Sequence, residues 1–90
     1  MKWKAKFKKQ PEKYLSKLSQ EDRARILTAI YELCEKWPFY RQSALDIKRL
    51  QGSDEWRLRV GDWRIIFYPD KGQFIILIIE IGPRGDVYKK

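Results

Sequence analysis

The sequence predicts an α+β fold: a small, mainly antiparallel four-stranded sheet covered on one face by an N-terminal helical hairpin, in the order β-α-α-β-β-β. Three observations predict it. Apolar residues and lysines alternate near the N-terminus, apolar residues recur at helical spacing between Pro11 and Trp37, and the stretch EWRLRVGDWRIIFY (55–68) sorts its side chains onto two chemically opposite faces before a further apolar run starts at Phe74. Ninety residues are expected to form one domain, 1–90, with a single two-layer core.

Trp3, Ala5 and Phe7 alternate with Lys2, Lys4, Lys6 and Lys8, the pattern of a strand with one buried face. Its lysines read as a solvated face or as guards against edge pairing. Pro11 is placed to open a short helix at its first position, with Tyr14, Leu15 and Leu18 on one side. Ser19 reads as the N-cap of a second, longer helix, and Glu21 and Asp22 in its first turn complement the helix dipole. Ile26, Ile30, Leu33 and Trp37 form that helix's apolar stripe, and Pro38 ends it. Residues 39–54 read as loop with one helical turn, anchored by Leu45, Ile47 and Leu50, with a turn at Gly52.

Gly61-Asp62 between two β-rich runs suits a two-residue type II′ turn, which pairs Val60 with Trp63, Arg59 with Arg64 and Arg57 with Ile66. Directly opposed residues share a face, so Trp56, Leu58, Val60, Trp63, Ile65 and Phe67 line the core side. Arg57, Arg59 and Arg64 converge on the other. Guanidinium groups crowded in this way repel one another and call for an anion, phosphate first among the candidates. Pro69-Asp70-Lys71-Gly72 reads as a four-residue turn with Gly72 left-handed, leading to a strand from Phe74 to Ile81 that is apolar on both faces and therefore interior. Pairing Tyr68 with Gln73 places Glu80 on the core side, a conflict that a bulge or a frayed strand end would relieve.

Twenty Lys and Arg against 12 Asp and Glu give a net charge of +8, which favours nucleic acid or an acidic protein as partner. Cys34 is the only cysteine, so there is no disulfide framework and a reducing compartment fits. Its position among helical apolar residues makes it a core residue. The longest apolar run, Phe74 to Ile79, is too short to span a bilayer, and no standard secretion signal is read at the N-terminus. All four tryptophans, Trp3, Trp37, Trp56 and Trp63, fall on apolar faces and are expected in the core.

With LQG before the hairpin motif EWRLRVGDWRIIFY and IGPRGDVY after it, the chain resembles the RelE/ParE superfamily of bacterial and archaeal toxins, and within it the RelE branch. The resemblance covers most of the chain. It implies a cytoplasmic toxin of a type II toxin–antitoxin system that cleaves messenger RNA at the ribosome, without metal or cofactor. Its partners would be a cognate antitoxin, mRNA and the ribosome, with no membrane and no small-molecule substrate. Carried over by position, Arg57 and Arg59 match the two basic residues of the family's second strand and Arg64 its phosphate-stabilising arginine. Arg84 matches the arginine after the last strand and Tyr88 the C-terminal tyrosine. Attack by the RNA's own 2′-OH requires a base, cations for the dianionic phosphorane and an acid for the 5′-oxygen. Arginine meets the second need. It holds its proton too tightly for the first, so Tyr88, Glu55, Asp86 or groups of the ribosome are the candidates for proton transfer. The alternatives are a ParE-like DNA gyrase inhibitor and a catalytically inactive basic module that binds RNA or antitoxin.

Overall fold

A computed structural model describes residues 3–83. In chain order it contains β1 (Lys4–Phe7), α1 (Lys9–Ser16), α2 (Gln20–Lys36), a 3₁₀ turn (Tyr40–Gln42), β2 (Asp46–Arg49), β3 (Trp56–Val60), β4 (Trp63–Asp70) and β5 (Ile75–Pro83). The sheet has five strands in the order β1-β5-β4-β3-β2, one more than expected. The extra strand is β2, within the stretch read as loop. Its four residues alternate in only one apolar position, Ile47, which is too short a pattern to register as a strand. β1 runs parallel to β5 and the other neighbours are antiparallel.

Ser19 caps α2 as expected, its Oγ accepting from the Asp22 amide at 3.2 Å. The helical hairpin is tied at its corner by Arg23, whose Nε and Nη2 donate to the carbonyls of Leu15 and Leu18, both at 3.1 Å. The Leu15 carbonyl, in the last turn of α1, also accepts from the Leu18 amide at 3.1 Å. α1 starts at Lys9, two residues before Pro11, and holds β5 through Gln10: its Nε2 donates to the Ile81 carbonyl and its Oε1 accepts from the Ile81 amide, each at 2.9 Å. Leu15, Ile26, Ile30, Leu33, Cys34 and Trp37 close over Leu58, Ile65, Phe67, Ile76, Ile78 and Ile81, so one sheet face is the core. Trp3 and Trp37 are buried, whereas Trp56 and Trp63 are only half-buried at its margin. Burial pushes the Cys34 thiol up to about 11.

Two details at the β4–β5 turn differ from expectation. Pro69 and Asp70 belong to β4, and the left-handed residue is Phe74 (φ 54°), not Gly72. Asp70 shapes this turn by accepting from the Gly72 amide at 3.0 Å and from Gln73 Nε2 at 2.9 Å. Tyr68 pairs with Leu77, not Gln73, and a register shift between Ile66 and Phe67 then sets Ile66 opposite Glu80. Among the described residues no helix is long and apolar enough to cross a membrane.

Candidate functional site

The β3–β4 hairpin has the expected register, with Val60 on Trp63, Arg59 on Arg64 and Arg57 on Ile66. Gly61 adopts φ 56° while Asp62 stays out of the left-handed region, as a type II′ turn requires. A side chain at Gly61 would be strained by that φ, and its Cβ would also meet Arg25 Nη2 at 3.0 Å. Arg25 in turn lies over the Trp63 ring, 5.5 Å from its centroid. The turn therefore locks the register that places the arginines together.

Arg57, Arg59 and Arg64 share the sheet face opposite the helices. They are not solvated equally. Arg57 and Arg64 are 4 % exposed, whereas the Arg59 side chain is 30 % exposed. A buried guanidinium is expensive to hold, so two of them on one face mark a place where charge is wanted at a fixed position. Nη1 of Arg57 is buried without a hydrogen bond, and Asp46 Oδ1 stands 3.6 Å from it. Asp46 Oδ2 lies 3.5 Å from Arg59 Nη1.

β2 contributes what sequence reasoning missed. Its register sets Asp46 opposite Arg59 and Lys48 opposite Arg57, both on the arginine face. The only trace in the sequence is the polar–apolar–polar order of Asp46, Ile47 and Lys48. On the far side, Glu80 and Gly82 stand opposite Ile66 and Arg64. The face thus carries Lys48, Arg57, Arg59 and Arg64 against Asp46 and Glu80. Glu55, a candidate for proton transfer, precedes β3, where its backbone carbonyl accepts from the Leu50 amide at 2.9 Å. Arg84, Asp86 and Tyr88 lie outside the described residues. Among the described residues no group of three or more His, Cys, Asp or Glu is arranged to hold a metal ion.

A helical hairpin on one face of a mixed five-stranded sheet and a packed arginine group on the other define a small basic α+β domain. The family model described as the ParE toxin of the type II toxin–antitoxin system, parDE, matches residues 1–88, and the chain belongs to this family of toxins within the RelE/ParE superfamily. Among solved structures, the RelE of the archaeal RelE–RelB complex from Pyrococcus horikoshii is similar at 28% identity and a TM-score of 0.77, covering 94% of this chain and 98% of that one. The RelB–RelE antitoxin–toxin complex from Methanococcus jannaschii matches at 27% identity and a TM-score of 0.66, covering 91% and 93%. The intact E. coli RelBE complex, at 15% identity and a TM-score of 0.71 over 90% and 95%, shares the fold. No match was found among curated protein sequences.

Proposed function

We propose that this toxin is an endoribonuclease that cuts messenger RNA on the ribosome, and that a cognate antitoxin silences it by covering the arginine face. The observation that carries the reading is the arginine group itself: Arg57 and Arg64 held at fixed positions with Arg59 at the surface beside them. Attack of a 2′-OH on the adjacent phosphate builds a second negative charge on the phosphorane, and cations fixed in advance in a water-poor setting stabilise that charge most. Arg59 engages the phosphate directly, with Arg57 and Arg64 behind it. Arg84 and Tyr88 join this set by position in the family motif. Because the reaction uses the RNA's own hydroxyl, it calls for no metal and no cofactor, and a ribosomal target places the protein in the cytoplasm.

The antitoxin reading rests on the archaeal relatives, both of which were solved with RelB. A cation-rich sheet face attracts carboxylates, which slow encounter with RNA by occupying its site.

One observation favours a second reading: the matching family model is that of ParE, which makes inhibition of DNA gyrase the alternative. The deciding experiment sets single-turnover cleavage of ribosome-bound mRNA beside gyrase-dependent supercoiling with the same preparation. Cleavage without loss of supercoiling is the expected result. Inhibited supercoiling with intact mRNA would overturn the nuclease reading, and neither effect would leave an inactive binding module. Arg64→Lys is expected to retain only part of the cleavage, since lysine keeps the charge and loses the planar fork.

A further inference from the structure

From the ion pairs at the edge of the arginine face, we infer that Asp46 is the proton acceptor for the 2′-OH; the inference rests on the nuclease reading. The reaction needs a base, and the chain has no histidine. Arginines cannot serve in that role. Asp46 is the carboxylate that β2 brings against two of them at once, its two oxygens 3.6 Å from Arg57 and 3.5 Å from Arg59.

Three features separate this arrangement from a structural salt bridge. The Asp46 side chain is 53 % exposed although one of its partners is 5 % exposed, so the carboxylate faces outward, where a substrate can reach it. Both contacts are longer than the roughly 2.7–2.9 Å of charge-assisted hydrogen bonds, which leaves its lone pairs available to take a proton. And it stands beside the group that would hold the phosphate, where it would come within reach of the hydroxyl next to that phosphate.

In the step, Asp46 removes the 2′-hydroxyl proton as the O2′–P bond forms. The P–O5′ bond then breaks, and the leaving 5′-oxygen takes a proton from water or from a neighbouring acid. The products are a 2′,3′-cyclic phosphate and a 5′-hydroxyl, with no redox change. Arg57 and Arg59 on β3 hold the carboxylate beside the place where the phosphate would sit.

The test compares wild type with Asp46→Asn, which keeps size and a hydrogen-bonding oxygen. It uses ribosome-bound mRNA, a pH–rate profile, a melting curve, and binding of an RNA that carries a 2′-O-methyl group at the scissile position. Asp46→Asn is expected to melt like wild type, to bind the blocked RNA at least as tightly because a like charge is gone, and to cleave about 10²- to 10⁴-fold more slowly. Its profile should also lack the acid limb of wild type. Cleavage at the parental rate, or an unchanged acid limb, overturns the assignment and leaves the nuclease reading standing. A parallel loss of binding and melting temperature overturns it in favour of a scaffold role. A wild-type protein that never cuts RNA removes the nuclease reading and Asp46's role with it.

Discussion

Replacing Arg57 with Met should separate stability from activity. Arg57 is buried on the arginine face, its Nη1 lacks a hydrogen bond, and the nearby Asp46 oxygen is 3.6 Å away. Its desolvation is therefore poorly repaid. Exchanging a buried ion pair for apolar groups of similar volume is often neutral or stabilising, by about 1–4 kcal/mol. Here methionine has about the right length and would lie against Ile66, Arg57's cross-strand partner, which is itself 4 % exposed. Asp46, half exposed, would be resolvated and would still have Arg59 at 3.5 Å. For a domain of this size each kcal/mol moves the melting temperature by about 4–8 °C, so Arg57→Met should melt at or above wild type, by up to about 10 °C if a little over 1 kcal/mol is recovered. Cleavage should fall in the opposite direction, by about 10²- to 10³-fold, the scale of removing one preorganised charge from a transition state. The two assays are a thermal melt followed by circular dichroism and single-turnover cleavage of ribosome-bound mRNA. A variant that melts well below wild type shows that the guanidinium holds the fold together. One that cleaves at the parental rate shows that it plays no part in the chemistry.

Phe67→Ala should cost about 3–5 kcal/mol, because Phe67 is wholly buried and meets Trp37 edge-on at 5.5 Å; the half-buried Trp63 should cost less than half of that on the same substitution, and equal losses in urea titrations would contradict this order. Gln10→Ala strips partners from both backbone groups of Ile81, a loss of about 1–3 kcal/mol that should also speed hydrogen exchange at the Ile81 amide; unchanged exchange there would count against the contact. The Cys34 thiol sits near 11 when folded against about 9 when exposed, so the folded state holds its proton longer and stability is lost as pH rises from about 9 toward 11. Cys34→Ala should flatten that part of the stability–pH curve relative to wild type, and matching slopes would show that burial does not govern the thiol.

The fold was legible wherever a periodic pattern ran long enough. The stripe from Ile26 to Trp37 and the two-faced hairpin each repeat over several positions, and the hairpin's pairs are those its turn predicts. β2 was not, since four residues with one inward side chain resemble any loop with an anchor. Missing β2 also hid Asp46 and Lys48, whose importance comes only from the strand that sets them against Arg59 and Arg57. The three hairpin arginines were legible because they lie on one local element whose turn fixes the register. Their burial was not, because alternation assigns a residue to a face and says nothing of how far that face is covered.

Glu80 shows how such a conflict in the sequence can point to the site. Strict alternation along β5 from Ile76 and Ile78 would carry Glu80 into the core opposite Ile65 and would turn Ile81 toward the arginines. The shift between Ile66 and Phe67 prevents both. Beyond it, Ile81 pairs with Ile65 and is fully buried, while Glu80 emerges opposite Ile66 on the arginine face and Gly82 stands opposite Arg64. On the other edge of β5 the pairing with β1 stops at Ile78, and Gln10 takes over there, with both of its amide bonds made to Ile81. The same irregularity that keeps the core apolar thus decides which residues border the arginines. Deleting Ile79, the residue that the shift leaves over, should regularise β5 while keeping Glu80 opposite Ile66, Ile81 opposite Ile65 and Gly82 opposite Arg64. That variant should stay folded with the arginine face intact, and an insoluble or unfolded deletion would mean that the bulge itself is needed and that the pairs on either side of it do not suffice.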